Sequence, residues 1–139
     1  MNIKYLLDTN ILSEAIRLKP NANVLQKLQI HKQELGTATL VVHELLYGCY
    51  RLPNSKKREI LQAYIEDVIL PNITLFDYDL KSAQWHATER ARLVSLGKTP
   101  AFVDGQIASI AYINQLILVT NNVSDFSTFQ NLKIENWFE

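Results

Sequence analysis

The sequence predicts an α/β fold on a mainly parallel sheet of four to five strands. Two observations lead there. Short apolar runs of strand length alternate along the chain with longer stretches of helical character, an order that points to right-handed crossovers. The four glycines and four prolines fall mostly between these segments as punctuation, and no repeat, linker or low-complexity stretch interrupts them.

The elements follow in order. Residues 3–7 (IKYLL) read as a short buried strand. Residues 10–18 read as a helix that stops before Pro20, and 22–31 as another. Residues 36–39 (GTAT) suit a short strand that feeds a helix over 40–50. Pro53, Asn54 and Ser55 restart the chain into a long helix that ends before Pro71. Residues 73–76 form a third strand, and Asp79 opens a helix to about Ser95, ahead of Gly97. Pro100 introduces a helix that runs to about Asn114. Residues 116–120 (LILVT) are the clearest strand, and 132–135 form a weaker last one that Trp137 and Phe138 pin to the body.

At 139 residues the chain has the length of one domain, read as spanning 1–139. A hydrophobic fraction of 47% against 20% charged is enough to fill a core. Fourteen basic side chains balance fourteen acidic ones, which excludes a grip on nucleic acid by bulk positive charge. Any such partner must meet a local patch. Cys49 is the only cysteine, so an internal disulfide and a cysteine-based zinc cluster are excluded. No apolar run exceeds four residues, too few to span a membrane, and the chain enters its first strand without a hydrophobic signal core. The expectation is a compact, soluble, cytoplasmic domain with no membrane contact.

In parallel sheets ligands bind beyond the carboxyl ends of the strands, where strand order reverses, so residues after Leu7 and Thr120 come first. Asp8 precedes Thr9 and Asn10, and a helix N-cap would account for it alone. Asp125 lies five residues beyond Thr120, where a turn or cap would account for it alone. Glu44 is harder to explain that way. Its helix is apolar round most of its circumference, and its neighbours at helical spacing are Leu40, Val41, Tyr47 and Gly48. A carboxylate there has a cationic partner, is protonated, or opens into a polar cleft. Asp104 sits beside Ile107, Ala108 and Ala111. The helix dipole explains its place in the first turn but not its direction. Carboxylates gathered in one cleft repel unless a cation is present, and oxygen-only ligands suit Mg²⁺ or Mn²⁺. Such ions are a common means of activating water for attack on a phosphodiester.

Four segments in order carry a resemblance: Leu6-Leu7-Asp8-Thr9-Asn10; residues 39–48 around Glu44; Asp104-Gly105-Gln106-Ile107-Ala108; and Leu118-Val119-Thr120-Asn121-Asn122 with Asp125-Phe126. Together they span nearly the whole chain, which resembles the PIN-domain ribonucleases and, among them, the VapC-type toxins of type II toxin–antitoxin pairs. The resemblance implies a three-layer α/β/α fold, Mg²⁺ or Mn²⁺ as cofactor, and endonucleolytic cleavage of RNA by metal-activated water attacking phosphorus in line. It implies that Asp8, Glu44, Asp104 and Asp125 are the catalytic and metal-holding residues, with Thr9, Thr120 and Asn122 orienting carboxylates or water. Many relatives carry an acid at the place of Asn122, so either Asp125 or Asn122 completes the set.

The resemblance also implies a homodimer and a VapB-type antitoxin that blocks the acidic cleft. Residues 22–31 and 55–70 are candidate surfaces, with Tyr50, Leu52, Tyr64 and Ile65 serving either an interface or the core. For the RNA, Lys56, Lys57, Arg58, Arg90, Arg92 and Lys98 are either contacts or an ordinary solvated face, paired with Glu59 or Glu89. Arg17 and Lys19 lie nearer the cleft. His31 and His86 read as surface residues and His43 as pointing away from Glu44, all three structural. Three other readings stand beside this one: a stand-alone RNA-processing nuclease, a catalytically weak scaffold that binds RNA or protein, and a phosphatase of the haloacid-dehalogenase type. Against the last, Asn10 stands where a second acid is needed, and no lysine adjoins Asp104 or Asp125.

Overall fold

A computed structural model describes residues 2–139. Five strands form one sheet in the order β3-β2-β1-β4-β5, and every neighbouring pair is parallel. They are β1 (Tyr5–Leu7), β2 (Leu35–Ala38), β3 (Thr74–Phe76), β4 (Ile117–Val119) and β5 (Ile134–Glu135). The helices are α1 (Thr9–Glu14), α2 (Ala22–Ile30), α3 (Thr39–Tyr50), α4 (Lys56–Ala63), α5 (Leu70–Asn72), α6 (Leu80–Ser95), α7 (Phe102–Ile113) and α8 (Val123–Phe126). β1 and β4 are fully or nearly fully buried, because helices cover both faces and leave no wet side to alternate against.

From β1 the chain steps outward to β2 and β3, then returns through α6 and α7 to β4 on the other side of β1. Right-handed crossovers in opposite directions lie on opposite faces, which makes three layers. The switch falls between β1 and β4. Their register pairs Tyr5 with Ile117 and Leu7 with Val119, and one more bond, Asp8 N–H to Val119 C=O at 2.9 Å, carries the ladder past the strand ends.

Two helices depart from the sequence expectation for identifiable reasons. The first, expected over 10–18, ends at Glu14. Glu14 is turned inward, only 4% exposed, and accepts the Asn21 backbone N–H at 2.7 Å and Arg17 Nη1 at 3.2 Å. The chain therefore leaves the helix to bring the start of α2 onto this carboxylate, and Leu18 is left fully in water. The helix expected to stop before Pro71 instead runs through it. A π-turn at Tyr64–Ile69 shifts pairing one residue further back, so that Leu70 N–H reaches Ile65 C=O. Proline has no N–H to give and crowds the preceding turn. Here the Asn72 side chain takes the Val68 carbonyl at 2.8 Å, and the helix closes with Ile73 N–H on Ile69 C=O at 2.9 Å.

The core lies on both sides of β1 and β4, with Leu6, Leu7, Leu118, Ile65, Ile69, Leu93 and Ile107 almost wholly enclosed. Ile65 is thus core, and Tyr64 donates its hydroxyl to Leu12 C=O at 2.7 Å, while Tyr50 stays 52% exposed. The two-residue β5 is held by Trp137, which is 1% exposed and packs edge-on against Tyr5 at 5.0 Å. Arg92 is committed to structure: it clasps buried Glu89 with two bonds of 2.8 and 2.9 Å and also caps Thr128 C=O. Glu89 in turn accepts Gln130 N–H at 2.7 Å, fastening the segment before β5 to α6. Among the described residues no helix is long and apolar enough to cross a membrane.

Candidate active site

Asp8 is the residue at which β1 ends and α1 begins. Its carboxylate accepts the Thr9 N–H at 2.8 Å, which is the N-cap bond, and also the Thr120 hydroxyl at 2.8 Å from the end of β4. Asn10 completes the clamp. Its side-chain NH₂ lies 3.3 Å from Asp8 and 3.4 Å from Thr120, while its oxygen accepts Asn121 N–H at 2.9 Å. Asn122 gives its backbone N–H to Thr120 Oγ1 at 3.0 Å and leaves its side chain in solvent. Burial raises the Asp8 carboxyl above its ordinary range, the three donors draw it back, and the charge of Glu44 pushes it up again.

Glu44 lies in the second turn of α3 and is exposed, so the expectation of an apolar surround is corrected. Val41, Val42, Leu45 and Cys49 take the buried side, whereas His43, Glu44, Tyr47, Tyr50 and Arg51 share the wet one. No Arg or Lys pairs with Glu44 among the described residues; the Thr9 hydroxyl holds it at 2.8 Å. Thr9 thus touches both the first acid, through its backbone, and the second, through its side chain.

Asp104 stands in the first turn of α7, half-buried, with its carboxyl pushed up to about 6. Burial is the largest cause, followed by repulsion from Asp125, Asp8 and Glu44 in that order. The four acids that the sequence singled out therefore act on one another in space, although they come from α1's cap, α3, α7 and α8. Asp125 arrives there because a short helix, which the sequence had suggested only as a turn, follows β4 and exposes Asp125 in its first turn.

Behind Asp104, α7 approaches α6 without a side chain between them. A Cβ on Gly105 would run into the His86 imidazole. His86 is 2% exposed, so its expected surface position is corrected; Nδ1 pairs with the Tyr78 hydroxyl at 2.9 Å and Nε2 has no partner. Its pKa is lowered, first by burial and then by Arg90. Asn10 and His86 were both missed as contributors. Asn10 was read as a helix-start residue and as the last position of the first motif, with no role of its own, and His86 lacks any signal that it faces Gly105, nineteen positions on.

The donors in this cluster are all oxygen, mutually repelling and free of any ion pair among the described residues, and Asp8 and Asp104 are desolvated as well. A hard divalent cation fits that chemistry. Among the described residues no three acids close into a tight cage. Mg²⁺ suits such an open arrangement, because it usually keeps several waters and takes few protein carboxylates.

The PIN domain family matches residues 5–130, and the chain belongs to that family. Its relatives include VapC ribonucleases. Ribonuclease VapC2 of Haemophilus influenzae is 34% identical over 97% of this chain and 98% of that protein. The tRNA(fMet)-specific endonuclease VapC of Shigella flexneri is 32% identical over the same shares, 97% and 98%. Among solved structures, FitAB bound to the IR36 DNA fragment superposes with a TM-score of 0.89 at 29% identity, covering 97% of this chain and 96% of that one. VapBC2 from Rickettsia felis, bound to a DNA fragment from its promoter, gives 0.82 at 31%, covering 99% of each. PIN-domain ribonucleases as a class are metal-dependent.

Two outcomes follow from the site's construction. The Asp104 carboxyl binds its proton more tightly folded than unfolded, at about 6 against 3.8. Its stabilising contribution is therefore full below about pH 4 and lost as pH rises through 6. Urea melts of the metal-free protein will show Asp104→Asn more stable than wild type at pH 7 by roughly 1 kcal/mol, a figure reduced for partial exposure, with the gain vanishing near pH 4. Gly105→Ala will lose about 1–3 kcal/mol through overpacking. Adding His86→Ala to that variant will recover part of the loss, which a melt series on the single and double variants reads directly.

Proposed function

We propose that the chain is a Mg²⁺- or Mn²⁺-dependent endoribonuclease and the toxin of a toxin–antitoxin pair. The observation that carries this reading is the convergence on Asp104: at the point where strand order reverses, burial first and then the charges of Asp125, Asp8 and Glu44 raise its pKa. Such a cluster is unfavourable for folding and useful for holding a divalent ion. Asp8, Glu44, Asp104 and Asp125 would hold it. When bound, the ion supplies a lowered water pKa and neutralises charge on the phosphate and the leaving oxygen.

The chain's own groups then have distinct tasks. Thr120 and Asn10 fix Asp8, and the Thr9 hydroxyl fixes Glu44, so that two of the acids are aimed before any ligand arrives. Asp125 stands as the fourth acid, in preference to Asn122, because its charge acts on Asp104 more strongly than those of Asp8 and Glu44. No cysteine, serine or histidine is needed as a nucleophile. His43 is exposed beside Glu44 on α3, and Thr120 is engaged with Asp8.

The antitoxin reading rests on the complexes in which the structural relatives are found, VapBC and FitAB assemblies. It is also supported by a cavity of about 1030 Å³ that opens beside Glu44. Leu45, Leu52, Ile60 and Leu61 line it, with Arg17, Lys19 and Lys57 at its margin. An apolar peptide segment with acidic groups would fit it and cover the acid cluster. A homodimer belongs to the same proposal.

Cleavage of bulk cellular RNA tests the activity. The purified protein should cut RNA in Mn²⁺, stop in EDTA, and lose at least about a hundredfold in rate with Asp104→Asn. Cutting that survives both EDTA and the substitution would remove the acid cluster from the chemistry.

A further inference from the structure

Asp104 differs from the first two acids in how it is held. Hydrogen bonds from Thr120, Thr9 and Asn10 aim Asp8, and the Thr9 hydroxyl aims Glu44. Asp104 feels burial and charge, but no hydrogen bond among the described residues reaches its carboxyl. Its direction therefore depends on how the first turn of α7 is seated. That turn has little hold of its own: it starts after Ala101, which offers no side-chain cap, and its first backbone bond is Gly105 N–H to Ala101 C=O at 3.1 Å.

His86 supplies the missing hold. Its imidazole is buried against residues on either side of Asp104. Phe102 packs on it with ring centroids 5.0 Å apart, and Gly105 comes so close that a Cβ there would collide with the ring. Arg90, one turn further along α6, also reaches Phe102, 5.2 Å from its ring centroid. The imidazole is fixed in turn by Tyr78, in the segment between β3 and α6, whose hydroxyl lies 2.9 Å from Nδ1.

The tautomer follows from the burial. A proton on Nε2 would be a buried donor without an acceptor, since that nitrogen has no partner. The neutral ring therefore carries its proton on Nδ1 and donates it to the Tyr78 oxygen, while the Nε2 lone pair faces the Gly105 Cα–H. A polar ring whose second nitrogen finds only a backbone carbon is a poor choice for packing alone. Its place behind Asp104 gives it a use.

We infer that His86, oriented by Tyr78, is a positioning residue: it seats the first turn of α7 and so sets where the Asp104 carboxylate meets a divalent cation. The inference rests on the nuclease reading and adds to it a residue that acts on the cation through Asp104.

Two measurements on the full-length protein test it, one without metal and one with it. In EDTA, amide exchange followed by NMR reads the seat. His86→Ala should speed exchange of the Gly105 N–H at least about tenfold more than that of Leu118 in β4. In Mn²⁺ at pH 8, titration followed by electron paramagnetic resonance of the free ion reads the aim. His86→Ala should weaken binding at least about tenfold. In the Asp104→Asn protein the same substitution should change affinity by less than about twofold, because the group it acts through is gone. Tyr78→Phe keeps the ring and removes its partner. It should cost about threefold in affinity, with the same dependence on Asp104, and it carries the comparison if His86→Ala does not fold. Equal exchange at Gly105 and Leu118 overturns the seat. An equal loss of affinity with and without the Asp104 carboxylate overturns the aim and leaves His86 a packing residue. A wild type that binds no Mn²⁺ removes the nuclease reading and this role with it, an outcome that the metal-free exchange result keeps distinct from failure of the seat.

Discussion

The hydrogen bond from the Thr120 hydroxyl to Asp8, 2.8 Å long and buried, is the contact on which the site depends. It joins the ends of β1 and β4, the two neighbouring strands whose onward connections run in opposite directions. A crevice at that place is a property of the topology. The bond makes it chemically specific, because together with the Thr9 N–H it holds both Asp8 oxygens within the electrostatic reach of Asp104. Asn10 supports the same arrangement from below, linking Asp8, Thr120 and Asn121 with one amide group.

The site and the fold pull in opposite directions. Four acids at the carboxyl ends of the central strands oppose folding, and the raised Asp104 carboxyl, pushed up first by burial and then by the other three charges, is the sign of it. The surrounding structure offsets the repulsion with tight packing rather than with counter-charges: Gly105 lets α7 lie directly on His86, and the Glu89–Arg92 pair binds α6 to the segment before β5. Among the described residues the ion pairs join groups of the scaffold, and none of them involves the four acids.

Much of this was legible beforehand, for physical reasons that differ from residue to residue. The buried strands announced themselves because unbroken apolar runs such as LILVT have few other uses in a short chain. Asp8 could be singled out by its place after a strand, whereas Glu44 was singled out because its helix reads as apolar, although the residue faces solvent. The early stop of α1 was not legible, because it depends on Glu14 reaching the Asn21 N–H across a loop. The passage of a helix through Pro71 depends on a π-turn that no residue type signals. Asn10 was hidden by its own propensity, since a good helix-start residue attracts no further explanation. Tyr47 was read as part of an apolar helix, whereas its place in the fold is solvent.

The central claim is that four carboxylates form one cation site whose repulsion the cation relieves. Calorimetric titration of the protein with Mn²⁺, repeated in buffers of different ionisation enthalpy, tests it directly by counting the protons released on binding. The account predicts release of a substantial fraction of one proton near pH 6, where Asp104 is partly protonated, and almost none near pH 8, with binding greatly weakened by Asp104→Asn. Mn²⁺ binding that releases no proton at pH 6 and is indifferent to Asp104 would contradict it.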